Sequence, residues 1–85
     1  MKIQLKFFAS LREVLKTSSE TLTVPDGIQT IRDLREFLIS RGEPWSVALA
    51  HGKAVRVALN HEMVEEGVPL LDGAELAFFP PVTGG

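Results

Sequence analysis

Ala74-Glu75-Leu76-Ala77-Phe78-Phe79-Pro80-Pro81-Val82-Thr83-Gly84-Gly85 closes the sequence. Its first six residues alternate, with Leu76 and Phe78 facing one way and Glu75, Ala77 and Phe79 the other, which is the period of a strand. Pro80 and Pro81 lack backbone donors and hold φ near about −65°, so they stop the ladder and bias the tail toward a stretched form. Gly84 and Gly85 carry no Cβ, so the end of the chain is as thin as a peptide can be. A thin tail thrown off a folded body fits a narrow channel in another protein; a disposable terminus is the bland alternative. At a glycine usage of ~7%, two terminal glycines arise by chance in roughly one chain in two hundred. Their setting, directly after an aromatic strand and a proline stop, is what makes them specific.

The 85 residues as a whole make one small domain with a modest core. The apolar share of 45% and charged share of 24% are those of an ordinary globular chain. Nine basic and eleven acidic residues are spread evenly for a net charge of −2, so neither nucleic acid nor an anionic membrane is an expected partner. No apolar run approaches the length of a membrane span. Met1-Lys2-Ile3-Gln4-Leu5-Lys6 alternates and lacks the continuous apolar core of a signal peptide, so the cytoplasm is the expected compartment. There is no cysteine. That excludes disulfides, a thiolate nucleophile and thiolate metal sites. Sulfur, if handled covalently here, has only the terminal carboxylate to sit on.

Toward the N-terminus, Ile3, Leu5 and Phe7 alternate with Gln4, Lys6 and Phe8 in a first strand. Ser10 opens a short helix with Glu13 completing a capping box, and Leu11, Val14 and Leu15 form its apolar face. Leu22 and Val24 mark a second strand, ended by Pro25-Asp26-Gly27. The strongest helix starts at Thr30, with Asp33 placed to cap it. Ile31, Leu34, Phe37 and Leu38 line one side, Arg41 lies near the end, and Gly42 is the stop. Trp45 begins a helical turn as a core or rim anchor. Val55, Val57 and Leu59 face inward from a third strand. The chain turns at Asn60 and returns through Met63-Val64. The order β-α-β-α-β-β-β predicts an α+β roll: a mixed sheet with one main helix packed on one face. The expected body is residues 1–80, with residues 81–85 as an extended Gly-Gly tail.

Catalytic constellations are nearly absent. His51 and His61 fall in turns without an acid–thiol or acid–hydroxyl partner, Glu65-Glu66 reads as a solvated turn, and no glycines form a phosphate-cradling loop. No metal or cofactor site is expected. More informative is the side of the sheet that faces away from the core. Phe8 shares parity with Gln4 and Lys6, and Phe79 with Glu75; Ala58 has the same outward parity, and Met63 follows the next turn. If the first and last strands are neighbours, Phe8, Phe79 and Met63 form an apolar patch beside the root of the tail, suited to a partner.

These features resemble the ubiquitin-like β-grasp sulfur carriers, most closely the family of molybdopterin synthase small subunits. The carriers of the resemblance are Phe7-Phe8-Ala9 followed by Leu11-Arg12-Glu13; the middle segment from Trp45 through Gly52-Lys53 to Val57-Ala58-Leu59-Asn60; and above all the close, from Asp72-Gly73 to Gly84-Gly85. The middle segment argues against the shorter carriers of the thiamine pathway. The resemblance implies a non-catalytic, sulfur-donating subunit. Gly85 would be adenylated by an ATP-dependent, ubiquitin-activator-like enzyme and converted to a thiocarboxylate, ATP and Mg²⁺ belonging to that enzyme. The tail of Pro81, Val82, Thr83, Gly84 and Gly85 would enter the large subunit in a heterotetramer. Sulfur would pass to cyclic pyranopterin monophosphate to build the molybdopterin dithiolene. Phe8, Met63 and Phe79 match family positions that dock the large subunit. Alternatives are a carrier for thiamine or tRNA thiolation, a ubiquitin-like protein modifier, or a plain β-grasp interaction domain with an inert tail.

Overall fold

A computed structural model describes residues 1–81. The chain runs β1 (Lys2–Phe7), α1 (Ala9–Leu15), β2 (Ser19–Thr23), α2 (Ile31–Ile39), α3 (Trp45–Ala48), β3 (Arg56–Leu59), β4 (Glu62–Val64) and β5 (Glu75–Phe79). The strands form one mixed sheet in the order β2-β1-β5-β3-β4. The final strand lies at its centre, parallel to β1 and antiparallel to β3. This is the β-grasp roll expected of the sequence, with all five strands found.

Alternation decides which face is buried. Ile3, Leu5 and Phe7 of β1, Val57 and Leu59 of β3 and Leu76 and Phe78 of β5 all point inward. There they meet Ile31, Leu34 and Leu38 of α2. Phe7 stacks on Phe78 at 5.7 Å between ring centroids and meets the Trp45 ring edge-on at 5.4 Å, so Trp45 is a core-side anchor. Helix α2 begins with the expected capping box: the Thr30 hydroxyl accepts from the Asp33 N–H, and the Asp33 carboxylate accepts from the Thr30 and Gln29 N–H groups. The two backbone donors hold the Asp33 carboxyl below its ordinary value. Gly42 follows the helix at φ +85°, a conformation that costs a residue without Cβ almost nothing.

Three local expectations are corrected. Ser10 and Glu13 make no capping box; the N-cap of α1 is Phe8, and no side chain caps it. The Phe8 N–H donates to the Phe78 carbonyl, keeping β1 on β5 until Phe8, and Ala9 then turns the chain at φ 51°. The helix is thus capped two residues early and Ser10 lies inside it. Val14, expected on the apolar side of α1, is 45% exposed, because the core takes only Leu11 and Leu15. Glu66 is not a solvated turn residue: its carboxylate accepts from the Arg35 guanidinium at 2.7 Å.

Candidate functional site

The site is the open face of the sheet where β5 ends. Register places Ala77 beside Lys6 on one side and Ala58 on the other, and Ala58 opposite Met63. One step nearer the tail, Phe79 lies opposite Arg56 of β3. Phe8 leaves β1 in extended conformation and its ring stacks on Phe79, 4.8 Å between centroids and 6° from parallel. The two rings therefore lie together on this face, beside the root of the tail. Met63 lies two strands over at the sheet edge and is 54% exposed. Between them the floor is low: Ala58 and Ala77, though outward in parity, are only 4% and 5% exposed. Methyl groups at these two positions leave a shallow seat walled by longer neighbours.

Pro80 and Pro81 follow Phe79 directly, Pro80 half-buried and Pro81 exposed. The tail thus leaves the body from the central strand and next to the aromatic pair. Val82, Thr83, Gly84 and Gly85 lie outside the described residues. The two histidines sit where turns were expected. His51 is 2.6 Å from a Glu36 carboxylate oxygen and His61 is 3.5 Å from one of Glu75, all on the surface. Among the described residues no group of three His, Asp or Glu could hold a metal ion, and no helix is long and apolar enough to cross a membrane.

This arrangement can present a terminus and a docking face; among the described residues no acid, base and nucleophile come together around a pocket. A family model described as the ThiS family matches residues 5–85. The chain belongs to the ThiS family. Among its relatives, the "molybdopterin synthase sulfur carrier subunit" of Escherichia coli is 40% identical over 83 residues, covering 98% of this chain and 99% of that one. Of solved structures, SAMP1 from Haloferax volcanii superposes with a TM-score of 0.75 at 30% identity, covering both chains fully. A protein–protein complex of subunits 1 and 2 of the molybdopterin-converting factor from Helicobacter pylori holds a chain of the same fold, with TM-score 0.66, 24% identity and full coverage of both chains.

The residue that sequence reading missed in this ThiS-family chain is Arg35. It is 5% exposed, and its guanidinium donates to the carbonyls of Leu49, Ala50 and Lys53 at 2.7–3.0 Å besides the Glu66 carboxylate. One buried cation thereby fixes the loop between α3 and β3. The signal was available: Arg35 falls four residues after Ile31 and three before Leu38, on the buried side of α2.

Proposed function

We propose that the chain is the sulfur carrier subunit of a molybdopterin synthase, acting in molybdenum cofactor biosynthesis in the cytoplasm. The observation that carries this reading is the near full-length likeness to the Escherichia coli protein of that name. The body of residues 1–80 is then a handle, and residues 81–85 deliver the chemistry at Gly85.

A carboxylate resists nucleophilic attack. Adenylation of Gly85 by a partner enzyme with ATP and Mg²⁺ releases pyrophosphate and creates a good leaving group. A sulfur nucleophile then displaces AMP, leaving the terminal thiocarboxylate. That group is anionic near neutral pH and attacks an activated carbon of cyclic pyranopterin monophosphate, displacing an oxygen substituent; water then hydrolyses the resulting thioester, leaving sulfur on the pterin and returning the Gly85 carboxylate. Two such transfers complete the dithiolene. Gly84 and Gly85 leave the reactive atom unshielded, while Val82 and Thr83 line up against the walls of the large subunit's channel. Phe8, Phe79 and Met63 dock that subunit, the stacked pair of rings supplying rigid contact area at small entropic cost. The chain itself binds no cofactor in this reading.

The experiment is an intact-mass measurement after incubation with the activating enzyme, ATP and a sulfur donor. The reading expects the mass gain for one oxygen replaced by sulfur at Gly85. An unchanged mass, with a control carrier converted in parallel, would leave a plain interaction domain instead. The likeness to SAMP1, a small archaeal modifier protein, favours a second reading as a protein modifier. A lysate probed for isopeptide-linked conjugates decides between them, since a dedicated carrier forms none.

A further inference from the structure

On the far side of the tail's root from the aromatic pair lies a groove of about 360 Å³ between α1 and α3. Leu11 and Val14 of α1 and Val47 and Ala48 of α3 form its walls, and Pro80 and Pro81 close it at the tail. Val14 and Val47 are 45% and 48% exposed, side chains the core does not use. Among the described residues, the one charged side chain lining it is that of Lys53. Among the described residues Lys53 has no carboxylate within salt-bridge distance. Its backbone is held firmly: its N–H donates to the Ala50 carbonyl at 2.9 Å, and its carbonyl accepts from Arg35 Nη2 at 3.0 Å and from the Val55 N–H at 2.9 Å.

Geometry says what must come against this groove. Four residues follow Pro81, and fully extended they reach at most about 14 Å. A channel that takes Gly85 to its floor must therefore bring its mouth down to the tail's root. The root has two sides, the Phe8–Phe79 stack on the sheet face and the Lys53 groove on the helix face, with Pro80 bridging them. A mouth that surrounds the tail meets both.

We infer that the α1–α3 groove is a second docking surface, taken by the rim of the large subunit's channel, which presents an apolar side chain to Val14 and Val47 and a carboxylate to Lys53. This rests on the tail-donating reading of the chain and adds to it a contact off the sheet face. Lys53, without a carboxylate partner among the described residues, leaves a positive charge for an acidic group of the rim to meet, and the short tail supplies the proximity. Arg35, through the Lys53 carbonyl, acts as a positioning residue for that cation.

The test is calorimetric titration of the full chain into the purified large subunit, with Lys53→Glu, Val47→Asp and, at the other end of β1, Lys2→Glu. All three positions are exposed, and melting temperatures check that each variant folds. Wild type binds; Lys53→Glu lowers affinity by about tenfold or more at low salt, since like charges then face each other across the interface. The deficit shrinks as salt rises. Val47→Asp weakens binding too, and Lys2→Glu leaves it unchanged. Wild-type affinity in Lys53→Glu and Val47→Asp would overturn the inference while leaving the carrier reading intact. An equal loss in Lys2→Glu would also overturn it, by assigning the effect to net charge. Failure of the wild type to bind would remove the carrier reading itself.

Discussion

Arg35 shows how one side chain can hold a surface that it does not itself form. Its guanidinium satisfies three backbone carbonyls and the Glu66 carboxylate from inside the fold. Removing it leaves a half-buried carboxylate without its cation and carbonyls without donors. Such losses cost more than the intact interactions contribute. Arg35→Ala should therefore destabilise the chain by about 3 kcal/mol, read as a shift in the denaturant midpoint. A change within experimental error would mean that water replaces the guanidinium without penalty. Phe79 is the opposite case. It is half-buried, and its main fixed contact is the Phe8 ring. Phe79→Ala should weaken binding of the large subunit by more than about 2 kcal/mol if the aromatic pair is a hot spot. Its cost in stability should be nearer 1 kcal/mol, the worth of an aromatic pair. Unchanged affinity in a titration would place Phe79 outside the docking face.

At the scale of elements, the strands were legible because alternation has one meaning: Ile3, Leu5 and Phe7, or Leu76 and Phe78, can be buried together only from a strand. Helix α2 was legible at both ends, from Thr30 and Asp33 at its start to Gly42 past its stop. The opening of α1 was not. There the Phe8 N–H bond to Phe78, a contact seventy positions away, outweighs a local capping signal at Ser10. Arg35 was not legible for a different reason: periodicity places it inward, but the Leu49, Ala50 and Lys53 carbonyls that receive its guanidinium come together only in space. Two elements are also joined by charge. Arg41, just past α2, donates to Glu20 of β2 at 2.9 Å and lies over the Trp45 ring at 4.6 Å. The Arg41 hydrogen bond holds the Glu20 carboxyl below its ordinary value of 4.5, partial burial opposing it. Asp33 is likewise depressed below 3.8 by the Gln29 and Thr30 N–H groups. For a carboxyl with a lowered folded pKa, the stabilisation is complete above the ordinary value and is lost as pH falls through the folded one. Thermal stability should accordingly hold at neutral pH and decline once the pH drops below about 4.5. Both groups keep contact with solvent, which screens these interactions, so the decline is modest. Arg41→Gln should remove the Glu20 part of it. A variant whose acid limb matches wild type would contradict that assignment.

For the whole molecule, the topology explains the division of labour. A central β5 places the tail's exit between β1 and β3, on a strand paired along both edges. In the proposed reading the body serves as the handle, and the chemistry occupies the last residues alone. The roll was legible from the alternation of its strands and the capped α2, and the family from the resemblance of the close, Asp72 to Gly85, to the sulfur carriers; what the last four residues do lies outside the described residues. The groove beside Lys53 was not legible, because it is made of side chains from α1, α3 and the prolines that come together only in space.

The most direct measurement is single-turnover sulfur transfer to the pterin precursor, comparing the loaded full chain with chains lacking Gly85 or extended by one residue beyond it. Transfer should vanish in both variants while their melting temperatures stay at the wild-type value, because Gly85 lies beyond the strand that ends the core. Transfer that survives either change would mean the terminal carbonyl of Gly85 is not where the sulfur is carried.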